Sequence, residues 1–384
     1  MASGNRDDLR FVNKFLESHK APVLETLYLT ILTTYNNPVP QVEIEKWIRV
    51  AISRSVRDLR LPQSQRGSRS PYTCQSLVNL HLRQEPVFMP IPCEFTPPTS
   101  DPRSLYLCQS LVNLHLRQVK IVDVPSDISF PSLKQLSLSL VSFSSDEVFS
   151  IMLSSCPVLE ELFMYGSWDH GGVKTITIEV PWLQRLVISE TSDCDRNWFM
   201  VNTPSLKSLK TYMRNSQFWP LVKMPELVKA EIDVKHSDPE KLLSCLTSAK
   251  HLTLCLNSQM DYNPPYDFNQ LVSLELCTRC TSYWLIHILR HSPNLRTLSN
   301  TRNFLIKWEQ PSFVPKCLIS SLETVEWIES RGTEEEKEAA IYLLGNASYL
   351  NKMTFKSTLK EKNRLLMEFE SKPRSSSKCL ISII

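Results

Sequence analysis

Leu111-Val112-Asn113-Leu114-His115-Leu116 is apolar at its first, fourth and sixth positions, with Asn113 and His115 between them. Versions of this stretch recur down the chain. Their leading residues stand at Leu111, Leu133, Leu159, Leu183, Leu206, Leu227, Ala249, Leu271, Leu295, Leu322 and Leu350, at spacings of 21 to 28 residues. Within each stretch the alternation has the period of a strand, whose side chains point to opposite faces in turn.

A six-residue L-x-x-L-x-L core at that spacing marks a leucine-rich repeat, with one strand per repeat. The expected fold class is therefore α/β, a leucine-rich-repeat solenoid. Its parallel strands would line an irregular horseshoe with a helical or irregular back. The first, fourth and sixth positions point inward, and each repeat buries its apolar stripe against its neighbours. Residues 146–155, 239–246 and 284–290 read as helical backs, whereas 173–180 reads as a short connector. Upstream, helices are expected at 9–20 and 42–53, and strands at 24–29 and 56–61.

Residues 69–84 and 103–118 match at 14 of 16 positions, differing only at Pro71/Leu105 and Thr73/Leu107. Between the copies, prolines stand at 86, 90, 92, 97, 98 and 102. Proline removes a donor and is poorly tolerated in helices and central strands, so this piece reads as an irregular loop. The second copy continues into the repeat register, and the first runs into prolines. The first copy, with Leu77, Leu80 and Leu82, is expected to be a poorly integrated insert.

The last unit has its own signature. Thr333-Glu334-Glu335-Glu336 fits a capping box, with Thr333 as N-cap and acidic groups suited to the helix dipole. The helix is expected to stop at Gly345. A strand at 350–355, a helix at 361–369 and a strand-like end at 379–384 follow, giving a βαβαβ piece that closes the solenoid.

Composition excludes several functions. Net charge is +3, with 43 Lys and Arg against 40 Asp and Glu, so nothing calls for a nucleic-acid or anionic-membrane partner. The arginines at 54, 57, 60, 66 and 69 lack the interleaved aromatics of a nucleic-acid site. Seven glycines, with only Gly171 and Gly172 adjacent, cannot build a phosphate-cradling loop. Cys277-x-x-Cys280 with His287 and His291 has zinc-ligand chemistry, but six residues between Cys280 and His287 are too few for usual finger spacing. The expectation is no metal, no cofactor, no catalytic residue and no enzyme. Eleven cysteines without a leading apolar segment imply buried, reduced thiols and a cytoplasmic or nuclear location. No apolar run is long enough for a membrane helix.

Four segments resemble one domain: 313–318 (Phe-Val-Pro-Lys-Cys-Leu), 321–325 (Ser-Leu-Glu-Thr-Val), 331–336 (Arg-Gly-Thr-Glu-Glu-Glu) and 350–353 (Leu-Asn-Lys-Met). They are similar to the FBD domain, which closes a large family of plant F-box/FBD/leucine-rich-repeat proteins. Residues 122–125, 154–162 and 47–61 resemble that family as well. The resemblance implies substrate recognition for a cullin-based ubiquitin ligase, with repeats presenting the target. It also implies an N-terminal F-box that docks on a Skp-type adaptor. The first residues here resemble the part that follows that module, with neither its Leu-Pro start nor its closing Trp-Arg pair. A chain apparently lacking the F-box is expected, with adaptor and cullin as partners only where an F-box is present. The alternatives are a ligase-independent interaction scaffold or a non-functional truncated paralogue.

The expected divisions are 1–62, repeat-like units; 63–103, the Pro-rich segment with the duplicated strand; 104–310, leucine-rich repeats; and 311–384, the FBD domain. The expected binding surface for an unidentified target protein is the concave strand face. Its candidates are His115 and Arg117, Gln135 and Ser137, Glu161 and Phe163, Arg185 and Val187, Lys229 and Glu231, and Ser273 and Glu275, with Lys210 beside them.

Overall fold

In the computed structural model, Leu133, Leu159, Leu183, Leu206, Ala249, Leu271, Leu295, Leu322 and Leu350 have no exposed surface, and Leu227 has 1%. These are the leading residues of the repeats. The fourth and sixth positions follow the same rule: Leu136 with Leu138, Leu162 with Met164, Leu252 with Leu254, and Leu274 with Leu276 are all 1% exposed or less. The structure describes residues 4–19, 26–28, 46–47, 50, 58–62, 79–83, 93–95, 112–117, 119–121, 124, 128–139, 141–166, 175–190, 197–236, 238–256, 266–276, 282–301, 308–328, 332–356 and 362–384. Leu111 and most of the helix expected at 42–53 lie outside them. The chain divides into two units, Met1–Thr203 and Pro204–Ile384.

The first unit opens with helix α1 (Gly4–Ser18) and strands β1 (Thr26–Tyr28), β2 (Asp58–Pro62) and β3 (Asn79–Arg83). Next come β4 (Cys93–Phe95), β5 (Asn113–Arg117), β6 (Val119–Ile121), β7 (Gln135–Ser139) and β8 (Ser142–Phe143). Helix α2 (Asp146–Ser154) precedes β9 (Glu161–Gly166), β10 (Thr175–Glu179), β11 (Arg185–Glu190) and β12 (Trp198–Asn202). Strands β1, β2, β3, β5, β7, β9 and β11 pair in parallel in that order. Trp47 is fully buried, and its indole N–H donates to Asn13 Oδ1 at 2.9 Å, fixing α1. Ser145 caps α2 by accepting from the Val148 N–H.

Three sequence expectations are corrected in this unit. The first copy of the duplication is not a stray insert in the backbone: Leu80 stands opposite Leu59 of β2 and Leu114 of β5, in register. Identical strands accept one another's register, so β3 occupies a rung; its side chains lie outside the described residues. The Pro-rich segment is not wholly irregular, because β4 pairs with β6, which pairs with β8, in a small parallel sheet. Cys93-Glu94-Phe95 contains no proline and keeps its donors. The connector at 173–180 is also a strand. Thr175-Ile176-Thr177-Ile178-Glu179 alternates, buries Ile176 and Ile178, and pairs with β12.

The second unit runs β13 (Ser208–Pro220), β14 (Lys229–His236), α3 (Pro239–Cys245), β15 (His251–Leu256), β16 (Ser273–Leu276), α4 (Ser282–Arg290) and β17 (Thr297–Thr301). It ends with α5 (Lys316–Ser320), β18 (Thr324–Ile328), α6 (Glu334–Asn346), β19 (Lys352–Lys356), α7 (Lys362–Glu370) and β20 (Leu380–Ile383). From β13 to β20 each strand pairs in parallel with the next. The βαβαβ end thus continues the rungs of its unit.

One turn sets up strand after strand. The N–H of Leu133, Leu159, Leu183, Leu227 and Leu295 donates back three residues to Phe130, Cys156, Val180, Met224 and Ser292. A proline follows each acceptor, at 131, 157, 181, 225 and 293, where its fixed φ suits the second position of a turn. The residue after each leader then joins the rungs. The carbonyl of Lys250 accepts from the N–H of both Val272 and Ser273, and that of Val272 from both Arg296 and Thr297.

The capping box forms with a variation. Thr333 Oγ1 accepts from the Glu336 N–H at 3.3 Å, but the Glu336 carboxylate returns to the Gly332 N–H at 2.9 Å. Gly332 takes the left-handed φ of 65°, which a side chain would strain. Gly345 is not the helix stop: α6 runs through it to Asn346, and the Ala347 N–H closes on Leu343. Asn346 Nδ2 donates to the Tyr342 carbonyl and completes the end. Cys156, Cys245, Cys317 and Cys379 are free buried thiols, whereas Cys255 is disulfide-bonded, a departure from the expectation of reduced thiols.

Candidate protein-binding face

Because successive strands are in register, their outward positions form rows. In the first unit, Asn113, Gln135, Glu161 and Arg185 are consecutive across four strands, as are His115, Ser137, Phe163 and Val187. The next row carries Arg117, Ser139, Tyr165 and Ser189. Strand β7 buries alternate residues and leaves Gln135, Ser137 and Ser139 partly open. The Arg185 guanidinium lies 5.6 Å above the Phe163 ring, and Phe163 stacks with Tyr165 at 6.4 Å. An arginine on an open aromatic pair is the composition that carries energy at protein interfaces. Val187 departs from expectation: it lies beside Phe163 in register and is only 7% exposed. A short branched side chain next to a ring is covered rather than presented. His115 is half-buried, and the Arg117 side chain lies outside the described residues.

In the second unit, one row runs Ser208, Lys229, His251, Ser273, Thr297, Thr324, Lys352 and Leu380. The adjacent row runs Lys210, Glu231, Thr253, Glu275, Ser299, Glu326, Thr354 and Ser382. Glu231 accepts both Lys210 at 2.5 Å and Lys229 at 2.6 Å. Hydrogen bonds from Lys210 and then Lys229 hold its carboxyl below the usual value, and partial burial opposes them. Thr253 Oγ1 donates to Glu275 at 3.3 Å, and Lys356 pairs with Glu326 at 3.2 Å. Lys229, Glu231, Ser273 and Glu275 line one open cavity of about 610 Å3 together with His251 and Thr253. These last two follow from the same repeat register. They are the third and fifth residues of the stretch led by Ala249, the same positions that supplied candidates on other strands.

The other candidate chemistry lies only partly among the described residues. His287 and His291 have ring centroids 4.5 Å apart, but His291 Nδ1 faces Asp267 Oδ1 at 2.8 Å. Cys277 and Cys280 lie outside the described residues, among which no group of three or more His, Cys, Asp or Glu side chains gathers to hold a metal. Burial pushes the Cys156 and Cys317 thiols up to about 12, opposite to what a nucleophile needs. Burial also pushes Tyr342 up to about 12, and its hydroxyl donates to the Phe313 carbonyl at 2.9 Å. Among the described residues no helix is long and apolar enough to cross a membrane.

Parallel rungs with aligned open rows define a leucine-rich-repeat protein of the interaction class. Residues 74–224 match the family described as FBD-associated F-box protein At5g56370, LRR repeats. Residues 310–355 match FBD and take in all four segments that carried the resemblance. The chain is 42% identical over 411 aligned residues to the putative FBD-associated F-box protein At5g56440 of Arabidopsis thaliana, covering 97% of this chain and 86% of the relative. It is 35% identical to FBD-associated F-box protein At5g38590 (90% and 78% covered) and 34% identical to F-box/FBD/LRR-repeat protein At4g00160 (96% and 80%), both of Arabidopsis thaliana. The chain belongs to the plant family of FBD-associated F-box/leucine-rich-repeat proteins.

Proposed function

We propose that the chain recognises a target protein through the open strand rows and serves as the recognition subunit of a cullin-based ubiquitin ligase. The observation that carries this is the register itself: successive rungs place side chains of mixed chemistry in unbroken rows. Specificity can then be spread over many weak contacts. Phe163, Tyr165 and Arg185 form the anchor of the first unit, and Lys229, Glu231, Ser273 and Glu275 the polar surface of the second. The role is to hold a protein near a ligase, not to transfer ubiquitin. Where an F-box is present, a Skp-type adaptor provides the link to the cullin through it.

The test is co-precipitation with a Skp-type adaptor, together with the half-life of a captured partner. Adaptor capture and a partner half-life that lengthens when Phe163 and Arg185 are both replaced by alanine support the reading. A captured partner with unchanged half-life and no adaptor would replace it by a ligase-independent scaffold.

A further inference from the structure

A second cavity, of about 570 Å3, opens in the second unit and shares no lining residue with the first. Lys250, Arg296 and Lys316 line it with the amides of Asn269, Gln270 and Asn294, and no carboxylate is among its lining residues. That bias is not inherited from composition, since the chain carries 43 cationic and 40 acidic side chains.

The repeat produces the convergence. Lys250 and Arg296 each follow the leading residue of a rung, at Ala249 and Leu295. Val272 holds the same position on the rung between them, fixed by the shared carbonyl bonds. Two rungs place the cationic backbones about 10 Å apart, a gap their long side chains can close. Lys316 enters from the start of α5. Arg296 Nη1 pairs with Glu323 Oε1 at 3.1 Å, leaving other guanidinium donors for a ligand. Among the described residues, neither Lys250 nor Lys316 has a carboxylate partner. Asn294 Nδ2 donates to the Asn269 carbonyl at 2.9 Å and stiffens the wall.

We infer that this cavity binds a phosphoryl group through Lys250, Arg296 and Lys316. A dianion matches several cations better than a single carboxylate does, and guanidinium binds phosphate in two-pronged fashion. The phosphoryl group has two sources, a phosphorylated side chain on a protein or a free small phosphate. Only the first rests on the target-recognition reading.

The test is titration calorimetry of the full chain, without adaptor, so its outcome is separate from that of the ligase reading. The probes are pyrophosphate and a short alanine-flanked phosphoserine peptide with its unphosphorylated twin. Saturable pyrophosphate binding is expected, weakened about tenfold or more in Lys250→Gln/Lys316→Gln and in Arg296→Gln. It should be unchanged in Lys378→Gln, an exposed cation outside both the cavity and the strand rows. Binding of the phosphoserine peptide but not its twin assigns the source to a phosphoprotein. Pyrophosphate binding without peptide binding keeps the site and assigns it to a free phosphate. No saturable binding of either probe, or equal binding by the folded cavity variants, overturns the inference.

Discussion

Trp327 of β18 and Phe355 of β19 stand opposite one another in register and stack with centroids 4.9 Å apart and planes 11° from parallel. Phe369 of α7 extends the stack, 4.8 Å beyond Phe355. Phe355 therefore joins two rungs and the helix behind them. All three rings are nearly inaccessible, at 2% or less. Phe355→Ala should cost about 3–5 kcal/mol, read as a lowered denaturation midpoint. A loss below about 1 kcal/mol would mean the stack can collapse onto the gap.

Gly345 gives the opposite sign. It lies inside α6, and a Cβ built on it meets nothing within 4 Å. Gly345→Ala should stabilise the chain by about 0.5–1 kcal/mol, through helix propensity and a less flexible unfolded state. Had glycine been the helix stop with positive φ, the same substitution would destabilise. Chemical denaturation decides between the two.

Several elements were legible because a period enforces them. Every leader from Leu133 to Leu350 is buried, and the Thr333 cap forms as its sequence requires. The outward rows were legible only as positions. Nothing in the local sequence says that Val187 falls beside Phe163 and is covered. Strand β10 was missed because Thr175 to Glu179 lacks the leucine pattern, although its two-residue alternation was the relevant signal. The cation-lined cavity escaped because Lys250, Arg296 and Lys316 come from three separate segments.

Glu231 makes stability depend weakly on acid. A carboxyl held below its ordinary value stabilises the fold above the unfolded pKa, about 4.3. That contribution is lost as pH falls through the folded value. Lys210 and Lys229 are more than half exposed, at 58% and 55%, so solvent screening limits the gain to about 1 kcal/mol or less. Glu231→Gln should be less stable than the wild type near neutrality, and the gap should close below about pH 4. A gap that widens on acidification would contradict the assignment.

Cys156 and Cys317 should react slowly with iodoacetamide in the folded chain, because burial disfavours the thiolate. Peptide mapping should show both labelled promptly once denaturant is added. Prompt native-state labelling of either would mean its repeat opens readily.

The duplicated strand offers a test of rung against insert. Residues 74–84 and 108–118 are identical, so deleting residues 75–108 leaves the sequence across the joint unchanged. It removes β3 and β4 and presents to β2 the same residues it pairs with now. In a repeat array each rung adds its own stability and an interface with the next. The deletion variant should fold, lose the protected amides of one rung in hydrogen exchange, and denature earlier than the full chain. An insert that contributes no rung would leave the midpoint unchanged or raise it. The register of Leu80 between Leu59 and Leu114 favours the loss.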